Sequence, residues 1–520
     1  MRVQQTRSSK HQVGLTKSIP APVGGLNARD SIAAMDKKDA VTLNNIFPLP
    51  TELMVRKGSL DWATGITGTV NSLCQYNPPS GSNKLFACAG ANIYDVTAQG
   101  AVGAAVVTGQ TSDKNEHINF ATAGGHFLYL VNGSDKPRFY NGATWTAVDA
   151  ASTPAITGVT TTLLTHVMSH QSRLWFIEKS SMRVWYLPTL SNGGAASAFD
   201  FSSVFSRGGY LTSFASWSLD AGVGLDDHAA FITSEGEVAI YKGTDPSSAA
   251  TWSKIGVFQI GAPIGKRCLQ NIAGDVIAIT QDGLVAFSSS LLTARVTNKA
   301  AVTDKIQNAI GTAISSYGTN FGWETCIFFG ENLLILNVPS SSTESTQYVM
   351  NLQENSKSWC TFTGWNAACW EFSSNQIFYG TSGKVVKAWT GKTDNSAVIV
   401  GEVVTAFNYF GNDSQLKQAT LCRPIISTDG SPSILIGIDA DFFIKDPTGI
   451  LSFVATTSSM VWGSMIWGSM VWGGGLSIKN SWQYASGLGY SLALHMKIQN
   501  NASDVRWQSW DILLKGGGVL

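Results

Sequence analysis

The chain has 520 residues, enough for about three ordinary domains or for one large repeat domain with attachments. Its 35 basic and 35 acidic residues cancel, and charged residues make up only 13% of it, against about 25% in an ordinary soluble chain. A histone-like polycation and an acidic tail are both excluded, and 44% hydrophobic residues with 17 Trp and 24 Phe exclude a chain too polar to fold.

In chain order, residues 1–29 carry five basic residues (Arg2, Arg7, Lys10, Lys17 and Arg29) and no acidic ones, and end in a Pro/Gly cluster at Pro20, Pro22, Gly24 and Gly25. That reads as an extended basic arm, a candidate contact for nucleic acid or an acidic partner ring. The next stretch, residues 30–45, places Ile32, Met35, Ala40 and Leu43 near helical spacing and predicts a short helical segment stopped by Pro48 and Pro50. Residues 1–50 are thus expected to form a docking segment.

From residue 51 to 391 one unit recurs: a short strand rich in Val, Ile, Phe, Tyr or Trp, a turn, and a second such strand. The copies are LFACAGANIYDV, LYLVNGSDKPRFY, RLWFIEKSSMRVWYL, AAFITSEGEVAIY, VIAITQDGLVAFS, CIFFGENLLILNV and IFYGTSGKVVKAW. Their turns centre near Gly90, Gly133, Ser180, Gly236, Gly283, Gly330 and Gly383, a mean spacing of about 49 residues. A beat of that length, built from short strands, predicts an all-β fold: a β-propeller of about seven blades, six to eight being compatible. Asp282-Gly283 supplies the positive φ that a tight hairpin needs. Apolar runs such as residues 174–177 and 333–336 suit strands covered on both faces. Residues 117–122 and 145–148 are candidates for the additional strands of a blade. A β-sandwich pair is the rival fold, but its turns would recur without the longer beat.

Residues 392–520 change character and predict a separate C-terminal β domain. Within it Met460, Met465 and Met470 precede Trp462, Trp467 and Trp472 at a strict five-residue period, each Trp followed by Gly. An odd period flips the face of a strand at every repeat, so the pentads read as a bent, Trp-bearing edge, either packed on a sheet or offered to another subunit.

Compact catalytic signatures are missing. Gly261–Lys266 approaches a phosphate-binding loop but is one spacer short, with Arg267 where a magnesium-binding hydroxyl belongs. His166 and His170 lie four apart in a predicted strand, about 13 Å from each other, too far to share a metal. Asp226, Asp227 and His228 read as a turn before a strand, and Asp439 and Asp441 as a carboxylate pair that chance also supplies. No catalytic residue, metal or cofactor is therefore expected. The seven cysteines (74, 88, 268, 326, 360, 369, 422) contain no C-x-x-C pair and predict reduced, buried thiols. No apolar stretch reaches the roughly 18 residues of a membrane-spanning helix, and no secretory signal follows the basic N-terminus, so synthesis in a cytoplasm is expected.

The run GGLNARDSIAAMDKKDAVTLNNIFPLPTELMVRKGS, together with FNYFGNDSQLKQATLCRPIISTDG, the Trp-Gly pentads, GLGYSLALHMKIQ and RWQSWDILLKGGGVL, resembles the tail nozzle (tail hub) proteins of short-tailed bacteriophages, of the tail tubular protein B, packaged-DNA stabilization type. The resemblance implies a non-enzymatic virion protein in the tail. As such it would be a homo-oligomer, a hexameric ring below the portal and a head-to-tail adaptor ring, with surfaces for tail fibres or a needle and non-specific contact with genomic DNA in its channel. It implies no catalytic or cofactor residue. A carbohydrate-binding propeller adhesin, and after it a propeller glycosidase or depolymerase, are the alternatives.

Overall fold

A computed structural model of the chain describes residues 14–220, 225–272, 274–291, 301–353, 357–451, 476–500 and 502–516. It divides into two compact units: residues up to 58, 350–361 and from 391 onward form the first, and residues 59–349 and 362–390 the second. The expected partition into 1–50, 51–391 and 392–520 is thus redrawn. Both ends of the chain build one β unit, and a twelve-residue excursion at 350–361 joins them there.

The second unit is a β-propeller. Its innermost strands are residues 70–76, Glu116–Thr122, Leu164–His170, Leu211–Asp220, Leu269–Ile272, Glu324–Phe328 and Cys369–Ser373. Each neighbours the next, and the last returns to the first. Antiparallel partners lie outside each of them. Four of these groups are separate sheets of three or four strands, such as Glu116–Thr122, Gly125–Val131, Arg138–Tyr140 and Trp145–Ala147. The ring closes through one long strand, Ser59–Tyr76, which serves two sheets. Its first part pairs with Gln376–Ala388 (Ala388 opposite Ser59, Ser382 opposite Thr69), and its second with Lys84–Ala89. Gly65 and Gly68, at φ +82° and +95°, let the strand bend between the two.

Five of the expected hairpins fall on the second and third strands of a group, and residues 117–122 prove innermost while 145–147 lie outermost. The last two differ in frame. The sixth hairpin is the innermost pair, Glu324–Phe328 with Leu333–Pro339. The seventh is a single strand, Gln376–Ala388, whose turn lies earlier, at Ser374 and Asn375 with φ of 50° and 58°. Gly383 sits at a register shift within that strand, a bulge rather than a turn.

Apolar runs are covered on both faces, as residues 174–177 and 333–336 require. Aromatic rings pack the third group onto the fourth: Trp175 of the third stacks on Trp252 of the fourth at 5.5 Å, and within the fourth Phe214 stacks on Phe231 at 4.6 Å and Tyr241 on Trp252 at 5.4 Å. All seven cysteines are free and buried, and burial raises the thiol pKa of Cys268 to about 12.

In the first unit, Val505–Gly516 pairs with Lys417–Thr428 on one side and with Leu15–Pro20 on the other. A second group runs Asp39–Asn44, Ile399–Thr405, Leu492–Asn500, Ser433–Ala440 and Gly449–Leu451. Arg56, 1% exposed, holds Asp394 through two bonds of 3.0 and 2.6 Å and donates its Nε–H to Asn45. The helical segment expected over residues 30–45 is not formed. Turns fill residues 32–38, with the Asp36 carboxylate accepting the Lys38 N–H, and Asp39–Asn44 is a strand. The β-branched pair Val41 and Thr42 favours the extended chain, and only Ala40 and Leu43 of the supposed apolar face are fully buried. The arm also needs correction from residue 14 on: Lys17 lies in a paired strand opposite Ile512, Ile19 and Ala21 are buried, and Arg29 pairs with Asp30 at 2.8 Å. Arg2, Arg7 and Lys10, and the pentad residues Met460, Trp462, Met465, Trp467, Met470 and Trp472, lie outside the described residues.

Candidate functional site

The innermost strands converge on a cavity of about 410 Å³, lined by residues from all seven. Packing fixes its walls. The strands are covered by neighbouring sheets, and the cavity is lined from starts such as Glu116 and Glu324 as well as from later positions such as Gln75, Ile327 and Phe372.

Arg267 organises the polar wall. Its Nε–H donates to Glu116 at 3.3 Å and its Nη1 to Glu324 at 2.8 Å. Nη2 donates to the Ser72 hydroxyl at 2.7 Å and to the Asn71 and Asn115 carbonyls at 3.1 and 3.0 Å. One guanidinium thus ties together strands far apart in sequence. Burial opposes its charge, but Glu324 and Glu116 more than compensate and hold it protonated. Glu324 responds oppositely: burial lifts it to about 7 although Arg267 and the Trp370 backbone N–H favour the anion.

Beside this cluster, His117 Nε2 lies 3.4 Å from Glu371. Burial lowers His117 to about 4, Arg267 adding to it and Glu116 opposing, whereas burial and the Glu324 charge push Glu371 well above the carboxylate range. Both shifts run the same way, since burial disfavours the charged form of either group. His166 Nε2 lies 3.1 Å from the Phe214 carbonyl, which requires the proton there and leaves Nδ1 a bare acceptor.

The sequence candidates distribute differently. His166 and His170 share a strand, as read, but bond separately, His170 Nδ1 lying 2.8 Å from the Ser216 hydroxyl. Asp227 and His228 lie within strand Leu225–Thr233 rather than in a turn before it, and Asp227 accepts the Ser218 hydroxyl. Gly261–Lys266 opens no helix, and the Lys266 ammonium donates to the Asn132 carbonyl at 3.3 Å. In the first unit Asp439 lies 3.2 Å from His495 Nδ1 and accepts the Lys445 N–H, while Asp441 accepts the Tyr490 and Ser491 N–H groups. Both carboxylates are committed to holding loops. Among the described residues no group of three or more His, Cys, Asp or Glu side chains is placed to hold a metal ion.

Glu116, His117, Glu324 and Glu371 were not singled out in the sequence, and Arg267 was noted only as a mismatch to a phosphate-binding loop. A signal was present: in a chain this poor in charge, an ionisable residue opening an apolar strand is unusual unless paired.

Ring and cavity define a β-propeller with a polar, ion-paired centre. No protein-family model and no curated protein matches the chain. Among solved structures it is similar to BBS1N in its complex with ARL6DN, at 12% identity and a TM-score of 0.39, over 64% of this chain and 96% of that one. It is also similar to Sqt1 of Saccharomyces cerevisiae, at 12% identity and a TM-score of 0.38, over 68% and 96%. Such similarity concerns fold, not function. No helix among the described residues is long and apolar enough to cross a membrane.

Proposed function

We propose that the chain is a structural virion protein, a subunit of the tail nozzle of a short-tailed bacteriophage that acts as a homo-oligomeric conduit rather than an enzyme. The observation that carries the reading beyond resemblance is an exposed apolar surface on the first unit. Phe443, Tyr484 and Leu488, 73%, 72% and 59% exposed, line one open groove, and Ile450, 66% exposed, lies on a strand that packs beside it. Monomers rarely leave such a cluster in water, so it suits a lasting contact with another subunit. The balanced charge supports the reading from another side, because a lining rich in Lys and Arg would hold DNA through phosphate contacts where a conduit must let it slide. In this reading six copies form the ring, an adaptor ring sits above, fibres or a needle dock below, and DNA touches the channel without sequence preference. Electron microscopy of the purified protein and of tail particles tests it. A ring, alone or on an adaptor, is expected, and Tyr484→Asp with Leu488→Asp should release monomers. A chain that stays monomeric at high concentration and has no place on any particle refutes the reading.

A further inference from the structure

A buried charge cluster underlies the apolar groove of the first unit. His495, 1% exposed, lies on strand Leu492–Asn500 between Ile399–Thr405 and Ser433–Ala440, and each ring nitrogen faces a carboxylate from one of those neighbours. Nε2 stands 2.9 Å from Glu402 and Nδ1 3.2 Å from Asp439, the second a charge contact rather than an aligned hydrogen bond. A neutral imidazole carries one N–H and would turn a bare lone pair toward one of the two carboxylates, whereas the imidazolium suits both. The surroundings agree: burial alone would lower the His495 pKa, but Asp439 and Glu402 outweigh it and raise it above the ordinary value of about 6.5. The other nearby charges have places of their own. Lys497, two residues along the same strand, links Glu402 at 3.3 Å to Asp446 at 2.6 Å, and Asp439 also accepts the Lys445 N–H. Asp441 is taken up by the Tyr490 and Ser491 N–H groups, and strand Gln483–Gly489, packed on Ser433–Ala440, brings no charged residue.

Asp439 connects this cluster to the surface. Its side chain is 3% exposed, yet it lines the same groove as Phe443, Tyr484 and Leu488, so the groove is where water reaches it. With His495 charged, Asp439 has a cation beside it. With His495 neutral, it is a buried anion facing a second carboxylate across the ring, and water from the groove takes over the part the imidazolium played. A partner seated in the groove shuts that water out.

We propose that His495 makes association of this chain with a second copy pH-dependent: a copy seated in the groove over Asp439 requires the imidazolium beneath it, so the assembly tightens toward neutral pH and loosens in alkali. The inference rests on the subunit reading above, which takes a second copy as the occupant of the groove. The sign follows from linkage. Association favours the protonated ring, so it is strongest while His495 is charged in the free chain and weakens as pH rises through the higher pKa of the assembled form; one unit between the two is about tenfold in the association constant.

Sedimentation of the full chain at pH 6.5 and pH 9, at one ionic strength, tests it. The association constant should fall about tenfold from the lower to the higher pH. Asp439→Asn keeps an oxygen for the Lys445 N–H but no charge, and should still associate, with a change of less than about threefold. His495→Gln, uncharged throughout, should associate at both pH values as weakly as the parent does at pH 9. Carbon-13 NMR of the histidine-labelled chain, with His495→Gln assigning the signal, should show an imidazolium at pH 6.5. Equal association at both pH values, a full response retained in Asp439→Asn, or a neutral His495 at pH 6.5 overturns this proposal alone. A chain that is monomeric at both pH values overturns it too, and the subunit reading falls with it only if tail particles also lack the chain.

Discussion

Replacing Arg267 with Met removes the one positive charge that holds Glu116 and Glu324 together and leaves the backbone carbonyls of Asn71 and Asn115 short of a donor. Removing one partner of a buried ion pair costs about 3–5 kcal/mol, because the other charge stays desolvated. Here Glu324 limits the loss. It is already raised to about 7 with Arg267 beside it, so without the guanidinium it takes up a proton at neutral pH. The lower end, about 3 kcal/mol, is therefore expected at pH 7. The sign of the pH dependence follows. An acid whose folded pKa lies above its unfolded value gives stability that is present below the unfolded pKa and lost as pH rises through the folded one. In the variant that loss extends above pH 7, at up to about 1.4 kcal/mol per pH unit. Urea unfolding followed by tryptophan fluorescence at pH 7 and pH 9 measures it. Arg267→Met should lose about 3 kcal/mol at pH 7 and more at pH 9, and adding Glu116→Gln and Glu324→Gln should recover at least half. A single variant within about 1 kcal/mol of the parent at both pH values, or a triple variant no better than the single, would refute the account of Arg267 as the axial tie.

Two further outcomes follow from single positions. His170 is lowered to about 4, chiefly by burial, with Asp227 opposing and His228 adding. A base with a depressed folded pKa loses stability as pH falls from about 6.5 to 4, here by about 3 kcal/mol, so His170→Phe should flatten that limb of a stability-pH curve. At Gly236 (φ +79°) an added Cβ would stand 2.4 Å from the Ile260 carbonyl oxygen, whereas at Gly65 (φ +82°) it would meet nothing within 4 Å. Gly65→Ala should cost only the left-handed backbone penalty of about 1–2 kcal/mol, and Gly236→Ala clearly more, read as the difference between their thermal midpoints.

Strand content and the circular repeat were legible because covered strands need continuous apolar runs and tight turns need glycine, and residues 174–177, 333–336 and Gly236 answer to those rules. The frame of the last two repeats was not, because a glycine in a bulged strand, such as Gly383, carries the same chemical mark as a glycine in a turn. Residues 30–45 misled for a related reason: four apolar residues fell at helical spacing, while Ala40 and Leu43 are buried in a strand that pairs with Ile399–Thr405 and shifts register between Ala40 and Thr42. The central cavity was hidden because its members, from Leu73 to Phe372, are separated by up to about 300 residues and meet only when the ring forms. No local spacing encodes that meeting. The mixed first unit was hidden likewise, since Leu15–Pro20 finds its partner nearly 500 residues away.

The long strand Ser59–Tyr76 has a bearing on how the molecule is made. It leaves the ribosome early, and although Ala63 and Thr64 find Gly100 and Ala101 nearby, residues 59–69 meet their long antiparallel partner in Gln376–Ala388, more than 300 residues later. Throughout that interval the nascent chain carries an open sheet edge of the kind that recruits strands from other polypeptides. Fragments ending before residue 376 should therefore clump rather than persist as partial rings, and a chaperone that shields the early edge would raise the yield of the complete protein.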